Sequence, residues 1–236
     1  NKTFFKSDSS VNKMLRLLIY LVSYILFPTI ANTHVQHYKN LQRIEFDIYR
    51  NNDLVGYHKV NVKKKGDNTK EIITDILIEV KILGIKVHTY KSYGVETYKN
   101  EELIEFKSKT QDGSDNDYCN IKKISDGKYS FDGMTENKKY IYELTEKFYP
   151  ALWWNHESLL SNNYVLGQGC RNLKTKITFL NKETKKINDK NEVVNFYNIK
   201  GDNLDINIGY TEKDLKWVDM KFTLKGDWEY KLKNLN

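Results

Sequence analysis

Ile44-Glu45-Phe46-Asp47-Ile48-Tyr49-Arg50-Asn51-Asn52-Asp53-Leu54 is the stretch that decides the fold. Ile44, Phe46 and Ile48 alternate with Glu45, Asp47 and Tyr49, which is the period of a pleated strand with one buried face. Asn51-Asn52-Asp53 then turns the chain into a second run from Leu54 to Lys63, so the reading is a β-hairpin. The same unit recurs outward from it. Residues 69–82 carry Ile76, Ile78, Val80 and Ile82 in phase, Leu83-Gly84 turns, and the threonine- and tyrosine-rich run Ile85 to Tyr98 suits a pleated surface. Asn100-Glu101-Glu102, Asp112-Gly113-Ser114-Asp115, Asp126-Gly127 and Asp132-Gly133 mark further turns. Toward the C-terminus, Leu173–Leu180, Val193–Lys200, Leu204–Tyr210, Leu215–Lys225 and Asp227–Leu232 read as strands. In the fourth of these, Val218, Met220, Phe222 and Leu224 share one face, and Trp217, Asp219, Lys221 and Thr223 the other.

About a dozen sequential antiparallel strands cannot stay flat, because strand twist accumulates and long open edges invite aggregation. The expected fold is therefore mainly β: a curled antiparallel meander forming a barrel or half-barrel, a clam, over residues 33–236 as one domain. One short helical insert is expected near 145–162, around Pro150 and Ala151-Leu152-Trp153-Trp154-Asn155-His156-Glu157-Ser158-Leu159-Leu160.

The N-terminus reads differently. Lys13 and Arg16 precede the uncharged stretch Leu17 to Phe27, and Pro28-Thr29-Ile30-Ala31 follows, the three parts of a secretory signal peptide over 14–31. Asn32, Thr33 and His34 end the apolar run too early for a membrane-spanning helix, so no stable span is expected after cleavage. Residues 1–13 precede the first methionine, Met14, and read as upstream or fragment residues. The expected location is periplasmic or secreted.

The 236 residues are 39% apolar, with 17 tyrosines and 10 phenylalanines, enough to build a core and too many for a disordered chain. Removing residues 1–31 takes four basic groups and one acid from the 38 and 31 present, leaving a net charge of +4. The one dense basic cluster, Lys63-Lys64-Lys65, runs into the turn Gly66-Asp67-Asn68. A solvated rim explains it better than a nucleic-acid face, which would interleave a basic stripe with stacking aromatics.

These residues resemble a known family over nearly the whole mature chain. Phe46-Asp47-Ile48-Tyr49 followed by Val55-Gly56-Tyr57-His58, the Lys81-Ile82-Leu83-Gly84 turn, Tyr98 to Leu103, Trp154-Asn155, and Gly209-Tyr210 to Phe222 with Gly226 stand in the order seen in the exported bacterial domains of unknown function grouped as family 6134. The resemblance implies an exported, mostly antiparallel β protein and carries over no catalytic residue.

Four constellations carry chemistry. Cys119 and Cys170 are the only cysteines; export would favour a disulfide between them, and the alternative is two separate cysteines, since the spacing holds no geometric information. Cleavage after Ala31 would put a free amine, two backbone amides and the His34 imidazole in reach of a copper(II) or nickel(II) ion, with His37 nearby; the alternative is an N-terminus that happens to hold two histidines. Trp153, Trp154, Asn155 and His156 form the densest segment, read as a candidate ligand site or as a plug for one end of the sheet, with Asn155 bonding the backbone. His58 and His88 sit singly on strands, the usual setting of a surface or hydrogen-bonded core histidine. No nucleophile elbow, phosphate loop, dinucleotide fingerprint or zinc-protease motif occurs, and no cofactor is called for.

Three functions follow in order of preference: a non-catalytic exported protein holding a lipid-like or other hydrophobic small molecule in its curled sheet, an envelope assembly partner with a filled core, and an enzyme using His156.

Overall fold

Asparagine, aspartate and glycine accept the left-handed backbone that tight hairpins need, and the chain uses them accordingly. In a computed structural model, residues 40–236 are described, and two-residue turns with positive φ at both positions fall at Asn51-Asn52, Asp67-Asn68, Leu83-Gly84, Asn100-Glu101, Glu136-Asn137 and Asn188-Asp189. All but the last of these, together with the turns Gly113-Ser114 and Asp126-Gly127, separate β1 (Arg43–Arg50), β2 (Asp53–Gly66), β3 (Thr69–Ile82), β4 (Ile85–Lys99), β5 (Glu102–Asp112), β6 (Asp115–Ser125), β7 (Lys128–Thr135) and β8 (Lys138–Leu144). An insert follows, made of β9 (Tyr149–Pro150), a 3-10 helix (His156–Leu160) and β10 (Asn163–Val165). The remaining strands are β11 (Asn172–Ile187), β12 (Lys190–Gly201), β13 (Leu204–Thr211), β14 (Trp217–Thr223) and β15 (Asp227–Leu235).

All the described strands belong to one sheet, ordered β8-β7-β6-β5-β4-β3-β2-β1-β15-β14-β13-β12-β11-β10-β9. Sequential neighbours pair antiparallel, apart from the parallel pairing of β9 with β10. The first and last strands also pair, Ile44 opposite Leu235 through Arg50 opposite Trp228. The meander is thus joined at its ends, and its gap lies mid-chain between β8 and β9. Of the barrel and the half-barrel, the open form is the one observed.

The inward residues bury one common core. One aromatic cluster within it sits at the β1–β15 junction, where the Phe46 ring lies 4.3 Å from that of Trp217 and 5.9 Å from that of Tyr230. The Trp217 indole nitrogen donates to the Asp219 carbonyl at 3.0 Å, so the largest buried side chain leaves no polar atom unmatched.

Three details depart from the sequence reading. Trp217 is fully buried together with Met220, because the register slips between Gly209 and Tyr210: Trp217 pairs with Tyr210 and Asp219 with Gly209, which leaves Val218 as the extra residue and reverses the phase there. Asp132-Gly133 is no turn; both lie inside β7, and the glycine is needed for a close approach described below. β11 runs on past Leu180 to Ile187 through another bulge between Phe179 and Asn181.

Trp217→Ala should cost about 3–5 kcal/mol by opening a cavity between β1, β2, β14 and β15. Urea denaturation followed by circular dichroism checks it; a loss below about 1 kcal/mol would mean that this junction is not the core's anchor.

Candidate functional site

The insert is short of regular structure because its sequence breaks helix early. Pro150 lacks an amide hydrogen, and Trp153 adopts a left-handed φ of 64°, unusual for a bulky side chain and kept only where the surroundings impose it. Here Tyr210 donates its hydroxyl to the Trp153 carbonyl at 2.7 Å, and the Trp153 ring packs on Tyr164 at 5.4 Å. The expected helix is reduced to the five residues His156–Leu160, started by Asn155, whose side-chain oxygen accepts from the Glu157 amide at 2.9 Å.

The turn at Trp153 drives Trp154 into the interior. Its indole nitrogen donates to Glu96 Oε1 at 2.5 Å, and its ring meets Tyr98 edge-on at 5.9 Å. Tyr98 donates its hydroxyl to Glu96 Oε2 at 2.5 Å. Glu96, on β4, is only 1% exposed, and burial pushes its carboxyl up to about 7 from an ordinary value near 4.5. The two hydrogen bonds and the charge of Lys70 work against that rise without cancelling it. The tip of the insert thus docks on a buried carboxylate.

His156 is half-buried, edge-on to Tyr210 at 5.1 Å and to Tyr197 at 6.2 Å. The adjacent Glu157 accepts from the Tyr149 hydroxyl at 3.4 Å. Trp153, Trp154, Asn155 and His156 are therefore brought together as parts of a packed tongue.

Residues 166–171 carry the tongue back across the inner face of β5–β7. Ser108 donates to the Gly167 carbonyl at 2.6 Å and Tyr142 to the Cys170 carbonyl at 2.6 Å. Cys170 is disulfide-bonded to Cys119 on β6. A Cβ on Gly133 would sit 2.3 Å from the Gly169 carbonyl oxygen, so only glycine lets the tongue lie this close.

His34 and His37 lie outside the described residues. Among the described residues no group of three His, Cys, Asp or Glu side chains is gathered closely enough to hold a metal ion. His88 is a surface residue, 3.0 Å from Asp112. His58 departs from the usual case: it is buried against Trp217 at 5.0 Å and Tyr230 at 5.8 Å, neither ring nitrogen has a hydrogen-bond partner, and burial pushes its pKa down to about 3.

A separate depression of about 1200 Å³ opens on the outer face of β2–β7. Tyr57, Leu77, Tyr93, Val95, Tyr118 and Met134 supply its apolar surface, and Lys91 and Lys109 line it. Sequence reading missed both this trough and Glu96. For Glu96 a signal existed: it falls in phase with Gly94 and Tyr98, so a carboxylate stands in the buried register of a strand.

The family model described as "Domain of unknown function (DUF6134)" matches residues 46–233. Among solved structures, the chain is similar to a β-barrel-like protein of domain of unknown function DUF1849 from Brucella abortus, with a TM-score of 0.58, 11% identity, and coverage of 83% of this chain and 97% of that one. The hypothetical lipoprotein YmcC from Escherichia coli (K12) aligns over 98% of this chain and 100% of its own at a TM-score of 0.33 and 7% identity. No curated protein matches.

The Glu96 carboxyl has a raised folded pKa, so its contribution to stability is complete below about 4.5 and is lost as pH rises through about 7. His58 acts in the opposite sense, its contribution complete above about 6.5 and lost as pH falls toward 3. The stability of Glu96→Gln relative to the wild type should therefore rise by about 1 kcal/mol per pH unit between pH 4.5 and 7 and then level off. Urea midpoints of both proteins at several pH values check this, and a pH-independent difference would contradict it.

Proposed function

This chain belongs to the DUF6134 family, and from that premise we propose that it is an exported, non-catalytic envelope protein that acts by contact through its outer surface. The observation that carries this reading is the occupied interior. Phe46, His58, Trp217 and Tyr230 fill the β1–β15 side, and Trp154 with residues 166–171 fills the side facing β4–β7. A sheet packed in this way has the character of the assembly partner with a filled core.

Export is supported by the basic and apolar segments before Asn32 and by the disulfide, since such bonds persist in oxidising compartments. The surroundings of His156 support positioning over proton transfer: its ring is packed among tyrosines, and the neighbouring carboxylate of Glu157 is engaged by Tyr149.

A second reading has its own observation. The outer trough is large enough for the apolar body of a hydrophobic small molecule or lipid, which would then sit outside the curled sheet.

Native mass spectrometry of the protein purified from an exporting host separates the readings. The first predicts a chain beginning at Asn32, lacking both thiol hydrogens, with no ligand carried along. Retention of the residues before Asn32 would contradict export. A one-to-one acyl adduct that persists on Leu77→Glu would overturn the filled-interior reading, whereas its loss on that substitution would place the ligand in the outer trough.

A further inference from the structure

The two ends of the sheet are unlike. At one end β9 is two residues long, both buried, and one of them is Pro150, which has no amide hydrogen to offer. At the other end β8 is seven residues long and, among the described residues, pairs only with β7, so alternate residues from Lys138 to Leu144 turn backbone N–H and C=O groups to an edge that no described strand covers. The inner face of β8 is anchored: Tyr142 stacks on Phe131 at 4.5 Å and donates its hydroxyl to the Cys170 carbonyl. The outer face presents Lys139, Ile141 and Glu143, all exposed, with Ile141 68% exposed at the centre.

An open strand edge is a template for another strand. Its sequence says which one. Lys138-Lys139-Tyr140-Ile141-Tyr142-Glu143-Leu144 is self-complementary about Ile141 when read against itself antiparallel. Lys139 then faces Glu143 of the second copy, Ile141 faces Ile141, Tyr140 faces Tyr142, and the lysine–glutamate pair occurs twice. Residues directly opposite on antiparallel strands have Cβ atoms about 5 Å apart, close enough for each pair to interact.

We infer that β8 is a self-association edge, on which a second copy of this chain adds its own β8 antiparallel about a two-fold axis through Ile141. The charges already present favour this arrangement. Lys139 lies 3.9 Å from Asp132 and Glu143 lies 2.5 Å from Lys128, on one face where Lys139 and Glu143 are exposed and Asp132 and Lys128 half-buried. Pairing two copies extends these into rows of alternating sign: Asp132 and Lys139 of one copy, then Glu143 and Lys128 of the other. Isolated exposed pairs contribute little each, whereas a row of alternating charges sets register and orientation. One strand pair buries less than a standard interface, so the dimer is weak and concentration-dependent. The inference deepens the reading of a protein that acts through its exterior, yet it rests on one strand.

Sedimentation equilibrium of the purified mature protein over a wide concentration range tests it. The wild type should show a monomer–dimer equilibrium. Lys139→Glu and Glu143→Lys should each weaken association about ten-fold, by setting like charges opposite one another at both ends of the strand. Two rescues exclude misfolding as the cause: an equimolar mixture of the two single variants should form a heterodimer, and the doubly exchanged chain should self-associate at wild-type strength. A wild type that stays monomeric up to its solubility limit, or association indifferent to both reversals, would overturn the inference. Either result leaves the filled interior to be decided by mass, so the two readings fail separately.

Discussion

Residues far apart in sequence meet in this domain because the tongue between β9 and β11 crosses the mid-chain gap and is tied to the opposite wall. Backbone pairing of β1 with β15 joins the two halves of the sheet along one line only. Across the gap the described residues form no ladder, and the tongue is held there by ties that include the Cys119–Cys170 disulfide, Ser108 to the Gly167 carbonyl, Tyr142 to the Cys170 carbonyl, Gln168 to Asp112, and Trp154 to Glu96. The covalent tie closes a 51-residue separation, for which chain entropy alone supplies on the order of 4 kcal/mol. That is a large fraction of the roughly 5–15 kcal/mol by which single domains are stable. The small residues at the crossing serve the same end, Gly133 by lacking a Cβ and Gly169 by adopting a φ of 72° against Thr135.

The ties are of different character. A disulfide responds to redox conditions and hardly to pH, while the Trp154–Glu96 contact involves a carboxyl that burial has drawn into the neutral range. A protonated Glu96 still accepts from the indole through its carbonyl oxygen, so the contact survives protonation, and the ionised form bears the cost of burial. His58 is the counterpart at the β1–β15 junction, a polar ring kept neutral among Trp217, Tyr230 and Phe46. Both groups are buried, Glu96 with a donor on each oxygen and His58 with a hydrogen-bond partner on neither ring nitrogen, and both lie where the sheet is joined or plugged. The trough on the outer face is built from the opposite phase of the same strands, so filling the interior and shaping the exterior are one pattern read on its two sides.

The strand rhythm was legible because it is local: Ile44, Phe46 and Ile48, the asparagine turns and the Asp-Gly pairs need only their neighbours. It failed where a distant partner changed the meaning of a local signal. Asp132-Gly133 looks like a turn, yet its glycine is required by Gly169, thirty-six residues on. The face of β14 reverses because a bulge at Val218 matches it to β13, and no residue type announces a bulge. The aromatic density of Trp153-Trp154 was visible, whereas the carboxylate it seeks stands fifty-eight residues earlier. The pairing of the first strand with the last, and hence the position of the gap, was hidden altogether, since hydrophobic phase says which side faces inward and nothing about which edges meet. His34 and His37 belong to a segment outside the described residues, and the fold says nothing of them.

Amide hydrogen exchange on the oxidised protein and on the protein with its disulfide reduced under native conditions measures the seam directly. If the tongue and its covalent tie close the gap, reduction should strip protection from residues 149–171 and from β5–β8, while β1, β14 and β15 keep theirs. Loss of protection spread evenly over the sheet, or no loss in the tongue at all, would contradict that account.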